Sequence, residues 1–231
     1  MLASSRRRIL ERLTDSEVVL DVGGWAKPFP RADWVLDLLP YETRGLYGYD
    51  RESDAEEERF GADTWVQRDI CDHSPWPFSD DQFDFAVCSH TLEDVRDPVW
   101  VCRELQRVAR AGYIEVPSRL EEQSYGIQGP WVGWGHHHWL TEIAGGRVQF
   151  VFKHHILHGR ESFRLPRAFW AALSPEERVE SLWWEGAFEV GERVFVDPDE
   201  LEGYLERLVD EQRGRFPRTG RGKLLGRLRP D

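Results

Sequence analysis

Compact apolar runs, most of them closing on an acid or a glycine, recur through the first half of the chain. Val18-Val19-Leu20-Asp21-Val22 ends in Gly23-Gly24, which predicts a buried parallel strand entering a tight turn. Trp34 to Leu38, Thr64 to Asp69, Phe83 to Cys88 and Gly112 to Val116 repeat the pattern, the last stopped by Pro117. Between the last two runs the period changes. Asp97-Pro98 supplies an N-cap and a first-turn proline, and Val101, Cys102, Leu105, Val108 and Ala109 recur at helical spacing. A crossover helix there requires parallel strands, so the expected fold is α/β, Rossmann-like and doubly wound, with binding loops at the carboxyl ends of its strands.

The flanking segments are less regular. Leu10 and Leu13 close a short basic helix at the start, and the acidic run from Glu52 to Arg59 predicts a solvated helix face. Residues 117–146 form an aromatic, Gly- and His-rich insertion, followed by a strand-like stretch from Arg147 to Lys153. Ser174-Pro175-Glu176-Glu177 has the form of a capping box and predicts a helix through Trp183; Phe188 to Val196 predicts a final strand. Asp197-Pro198 opens a last helix with Leu201, Tyr204, Leu205, Leu208 and Val209 on one face. The expected organisation is one domain over 1–212 with a helical C-terminal appendage, and a flexible basic tail over 213–231.

Composition narrows the function classes. With 40% hydrophobic and 31% charged residues in 231, the chain suits a folded domain, and no apolar run approaches the ~20 residues of a bilayer span. The basic start leads into Ile9-Leu10-Glu11-Arg12 rather than an apolar core, so no secretory signal is expected and the location reads as cytoplasmic. Cys71, Cys88 and Cys102 lack metal or disulfide spacing and are expected to be buried thiols. The net charge of −12, with basic residues concentrated in the tail, gives an acidic body that disfavours nucleic acid as a partner. The tail itself is a candidate for weak contact with an anionic membrane.

Taken together, Leu20-Asp21-Val22-Gly23-Gly24, Asp37, Asp69, Pro75-Trp76-Pro77-Phe78 before Phe83-Asp84, and Ser89-His90-Thr91-Leu92-Glu93-Asp94-Val95-Arg96-Asp97-Pro98 resemble the class I S-adenosylmethionine-dependent methyltransferases. The resemblance covers residues 17–117 and implies a mostly parallel seven-stranded sheet with an insertion after strand five, S-adenosyl-L-methionine as cofactor, and methyl transfer as the activity. It places Gly23 and Gly24 beside the methionine part, Asp37 on the ribose hydroxyls, and Asp69 with Ile70 at the adenine. Asp21 either orders the glycine turn or receives the cofactor's ammonium, and Ser89 and His90 line the pocket. Trp25 and Lys27 stand where the family's second and third glycines would be, and the helix after strand one is shortened or absent.

The acceptor side is expected in the insertion. His136, His137 and His138 cannot all face one way, and a histidine titrating near neutrality suits removal of a hydroxyl proton during methyl transfer. His90 is a further candidate base. Glu115, Glu121 and Glu122 are pocket candidates. No metal site is expected, although the histidines could join His154, His155 or His158 around a cation. The resulting expectation is O-methylation of a small molecule or sugar. Its rivals are a methyltransferase-fold interaction protein without turnover and, less favoured for want of fingerprint glycines, an NAD-dependent oxidoreductase.

Overall fold

The computed structural model describes residues 1–45 and 58–216, so most of the acidic run Glu52 to Arg59 and the tail from 217 onward lie outside the described residues. Helix α1 (Ala3–Arg12) is followed by β1 (Val19–Val22), β2 (Trp34–Asp37), β3 (Trp65–Gln67) and β4 (Phe85–Ser89). Next come α2 (Pro98–Val108), β5 (Ala111–Pro117), the short α3 (Arg119–Glu122), β6 (Trp139–Ala144) and β7 (Arg147–Phe152). Helix α4 (Arg167–Ala171), β8 (Val179–Glu185), β9 (Glu189–Glu192) and α5 (Pro198–Gln212) complete the described chain.

The main sheet has the order β3-β2-β1-β4-β5-β8, with all neighbours parallel except β8, which runs antiparallel to β5. The mostly parallel α/β architecture is thus present. The described residues form six strands in this sheet rather than seven; β6, β7 and β9 make a separate three-stranded sheet. Alternate side chains of β1 go to opposite faces. Leu20 and Val22 join Leu36, Ile114 and Val116 under α2, whose Val101, Cys102, Leu105 and Val108 are buried. Val19 joins Val35, Phe85, Val87 and Tyr113 against Ile9 of α1. Helix α2 begins as its sequence dictates: the Asp97 carboxylate accepts from Trp100 N at 2.9 Å, with Pro98 in the first turn. The three cysteines are buried and unpaired.

Close approach explains one glycine in the sheet. A Cβ on Gly112 would lie 2.4 Å from the Ala86 carbonyl oxygen and 2.7 Å from the Trp184 ring. Backbone cannot yield as a flexible side chain can, so Gly112→Ala is expected to destabilise the protein by ~1–3 kcal/mol. Urea unfolding measures this, and an unchanged midpoint would contradict the packing described.

The segment Ser174 to Trp183 corrects the expected helix. The capping box does form, with Glu177 N on Ser174 Oγ at 3.3 Å and Ser174 N on Glu177 Oε2 at 2.9 Å, but it closes one tight turn only. Val179, Leu182, Trp183 and Trp184 then extend along β5, from Pro117 opposite Val179 to Ala111 opposite Glu185. Branched and aromatic side chains gain more from that pairing than from continuing the helix. The expected final strand is shorter than its apolar stretch and pairs in parallel with β7.

Gly145 and Gly146, both at positive φ, turn β6 back onto β7 as a hairpin. The small sheet is tied to the main one by Trp139 Nε1 on the Val95 carbonyl (2.8 Å) and Ile143 N on Glu180 (2.6 Å). At the C-terminal end, Asp197 caps α5, and Phe216 meets Phe169 edge-on at 5.8 Å. The first residues of the basic tail therefore lie against the domain. No helix among the described residues is long and apolar enough to cross a membrane.

Candidate functional site

A cleft of about 1330 Å³ opens at the carboxyl ends of β1, β2 and β4 and is also lined by residues of the insertion. Gly23, Asp37, Asp69, Ile70 and His90 line it, together with His136, His137 and His138 of the insertion. Residues far apart in sequence thus meet because parallel strands present all their carboxyl ends to one edge.

The turn after β1 is shaped by two glycines. Gly23 has φ +77° and donates to the Leu36 carbonyl at 2.9 Å; a Cβ there would lie 2.2 Å from the Thr91 side chain. At Gly24 a Cβ would lie 2.2 Å from Asp21 Oδ2. That oxygen accepts from Phe29 N at 2.8 Å, so buried Asp21 ties down the loop rather than facing the cleft. Burial, with Asp37 nearby, pushes its carboxyl up to about 7. Asp37 does face the cleft, only 7% exposed, with Oδ2 accepting from Trp25 N (2.9 Å) and Oδ1 from Leu39 N (2.8 Å). Burial raises its pKa, partly offset by those N–H groups. Each oxygen keeps acceptor capacity for a ligand hydroxyl.

Around the rest of the cleft, Asp69 pairs with Arg96 at 2.7 Å and accepts from Cys71 N at 2.9 Å. Desolvation works upward on it, but Arg96 and the N–H hold it below the usual carboxylate range. Ile70 and the exposed Leu38 supply apolar wall. Ser89 is not among the cleft-lining residues: its hydroxyl donates to Glu115 Oε1 at 3.4 Å.

His90 adopts φ +53° and lies between two carboxylates, with Nε2 3.2 Å from Glu115 and Nδ1 3.4 Å from Glu93. Burial works against its charge, but Glu115 and Glu93 raise its pKa to about 9. At neutral pH it is an imidazolium, a donor rather than a proton acceptor. Glu115 is fully buried, yet His90, the Tyr113 hydroxyl and the Leu2 N–H hold it down to about 2. The sign of the linkage follows: His90 contributes stability in full below pH 6.5, and this is lost as pH rises through about 9. Glu115 contributes above pH 4.5 and loses its share as pH falls through about 2. His90→Gln is expected to flatten the fall in melting temperature between pH 6.5 and 9; an identical pH profile would exclude the charged contact.

At the insertion, buried Glu122 organises the histidines. Its Oε1 lies 2.6 Å from His137 Nδ1 and its Oε2 accepts from Lys153 Nζ at 2.6 Å. Burial opposes its charge, and His137 with Lys153 outweighs that cost, keeping the carboxyl below its usual range. Gly133 permits this cluster, since a Cβ there would lie 2.5 Å from the Glu122 carbonyl. The other nitrogen of His137, Nε2, is 3.7 Å from Asp94. His138 is fixed by its backbone, donating to the Glu93 carbonyl at 2.7 Å; His136 is exposed and its ring meets that of His137 at 4.5 Å. Glu121 accepts from the indoles of Trp134 (3.1 Å) and Trp170 (2.7 Å). His154, His155 and His158 belong to a separate turn, and a second cavity of about 520 Å³ lies between His155, His158 and His137.

Sequence spacing leaves several of these residues unassigned. Glu93, which lines the cleft, keeps a buried Oε2 with no hydrogen-bond partner among the described residues. A cationic group in the cleft would satisfy it. Arg96, Asp94 and the Lys153–Glu122 pair emerge only from the folded geometry.

A parallel sheet with a glycine turn after β1 and a carboxylate after β2 defines a nucleotide-type cleft. Residues 42–114 match the family model of the methyltransferase domain, and S-adenosylmethionine is the cofactor that this domain implies. Solved structures similar to the chain include the YcgJ protein from Bacillus subtilis (18% identity, 51% of this chain and 52% of that one, TM-score 0.38). Others are an S-adenosylmethionine-dependent methyltransferase from Aquifex aeolicus (19%, 54% and 68%, 0.37) and one from Mesorhizobium loti (16%, 65% and 62%, 0.37). The chain spans about half the length of the structures it matches first. No curated protein matches it.

The cleft fits that cofactor. It has a close backbone approach at Gly23, a hydroxyl acceptor in Asp37, apolar wall at Ile70, and an unsatisfied buried carboxylate oxygen on Glu93 suited to a sulfonium or ammonium.

Proposed function

We propose that the protein transfers a methyl group from S-adenosylmethionine to a hydroxyl of a small molecule or sugar. The observation that carries this reading is His137, held by buried Glu122 at one nitrogen while the other, Nε2, belongs to a residue that lines the same cleft as Gly23 and Asp37. The bound cofactor supplies an electrophilic methyl on a sulfonium. Asp37 binds the ribose, Ile70 covers the adenine beside Asp69, and Glu93 offsets the positive charge. Lys153 keeps Glu122 ionised, Glu122 fixes the tautomer of His137, and Nε2 accepts the proton of the acceptor hydroxyl.

Acidic overall charge favours a neutral or cationic small acceptor over nucleic acid, and three buried unpaired thiols suit a reducing, cytoplasmic setting. Incubating the protein with S-adenosylmethionine and pooled small hydroxyl-bearing metabolites and sugars, and following S-adenosylhomocysteine by mass spectrometry, tests the reading. Acceptor-dependent product that disappears in His137→Ala is expected. Cofactor binding without product from any acceptor would favour the non-catalytic alternative.

A further inference from the structure

The acceptor end of the cleft holds a second chemistry. Asp94, on the loop after β4, and His136 and His137, on the insertion, bring one ligand atom each to within 4.8 Å of one another. We propose that these three residues form a site for a divalent cation of zinc type.

One distance within the cluster and one contact outside it support the site. Nε2 of His137 and Oδ1 of Asp94 stand 3.7 Å apart, too far for a hydrogen bond, yet near the ~3.4 Å edge of a tetrahedron whose metal–ligand bonds are ~2.1 Å. Nδ1 of His137 is meanwhile held at 2.6 Å by Glu122, itself 1% exposed. A buried carboxylate on the far nitrogen is how metal-bound imidazoles are oriented and made more basic. Two imidazoles and a carboxylate suit zinc better than magnesium, and three protein ligands leave a fourth position open to the cleft.

The site rests on the proposed function only in what it would do there. A hydroxyl taken into the fourth position would lose its proton to cleft water, its oxygen pair then attacking the methyl carbon as the carbon–sulfur bond breaks toward sulfur. Cation and proton compete for His137 Nε2, so the general-base role of the proposed function belongs to the cation-free chain, and in the cation-bound chain the cation weakens the acceptor O–H bond instead.

The test uses the full chain after chelator treatment, titrated with cobalt(II) in the spectrophotometer and zinc(II) in the calorimeter. One cation per chain is expected, with the visible bands of four-coordinate cobalt. Asp94→Ala and His136→Ala, both at exposed positions, should abolish the bands, and Glu122→Gln should weaken zinc binding ~10–100-fold. Wild-type protein without bands or zinc heat, or bands unchanged in both exposed-site variants, overturns the proposal. Titration with S-adenosylmethionine in parallel keeps the two readings apart: cofactor binding without metal binding removes the cation site alone.

Discussion

His137→Ala is expected to lower turnover ~10²–10⁴-fold while leaving S-adenosylmethionine affinity unchanged. The imidazole is nearly buried, at 8% exposure, and is the member of the triple-histidine run that a buried carboxylate orients. His138 enters the structure through its backbone, and His136 is exposed. Glu122→Gln keeps a hydrogen-bond partner for His137 but removes the charge that Lys153 supports, so an intermediate loss in kcat with little change in cofactor affinity is expected. Full activity in His136→Ala, His137→Ala and His138→Ala alike would reduce the cluster to a surface loop stiffened by Trp134.

The second large effect is on cofactor binding. Asp37→Ala should weaken S-adenosylmethionine affinity at least tenfold, since a charge-assisted hydrogen bond contributes ~1.5–3 kcal/mol. The same change frees Trp25 N and Leu39 N, so the loop after β1 loses an anchor as well as the ligand losing an acceptor. Gly23→Ala attacks the other side of the turn: φ +77° is strained for alanine, and the added carbon meets Thr91. Calorimetry reads both variants. Unchanged affinity in Asp37→Ala would show that the ribose is held elsewhere.

What was legible in the sequence follows from how local each signal is. The five parallel strands and α2 are written in compact apolar runs and helical spacing, and Asp97 caps α2 as its position implies. The resemblance sets Gly23, Asp37, Asp69 and His90 around one cofactor, and they do line one cleft, since parallel strands align their carboxyl ends. The strand at Val179–Glu185 was not legible in the same way, because its conformation is decided by β5, more than sixty residues earlier in the chain, while its capping box is a local signal that the fold honours for one turn. Gly145-Gly146 is a hairpin signal that spacing alone could have yielded.

Side-chain partnership was the other limit. The pattern singles out His90 as a candidate base, but Glu115 and Glu93, which close around it, turn it into a charged donor. Conversely, Glu122, His137 and Lys153 are scattered through the insertion and the residue after β7, and only the fold shows that one carboxylate holds both the imidazole and the ammonium.

The most direct measurement is calorimetric titration of the full chain with S-adenosylmethionine and with S-adenosylhomocysteine. Saturable binding of one cofactor per chain, weakened in Asp37→Ala and retained in His137→Ala, is the predicted result. Absence of binding by either compound to folded wild-type protein would contradict the assignment of the cleft.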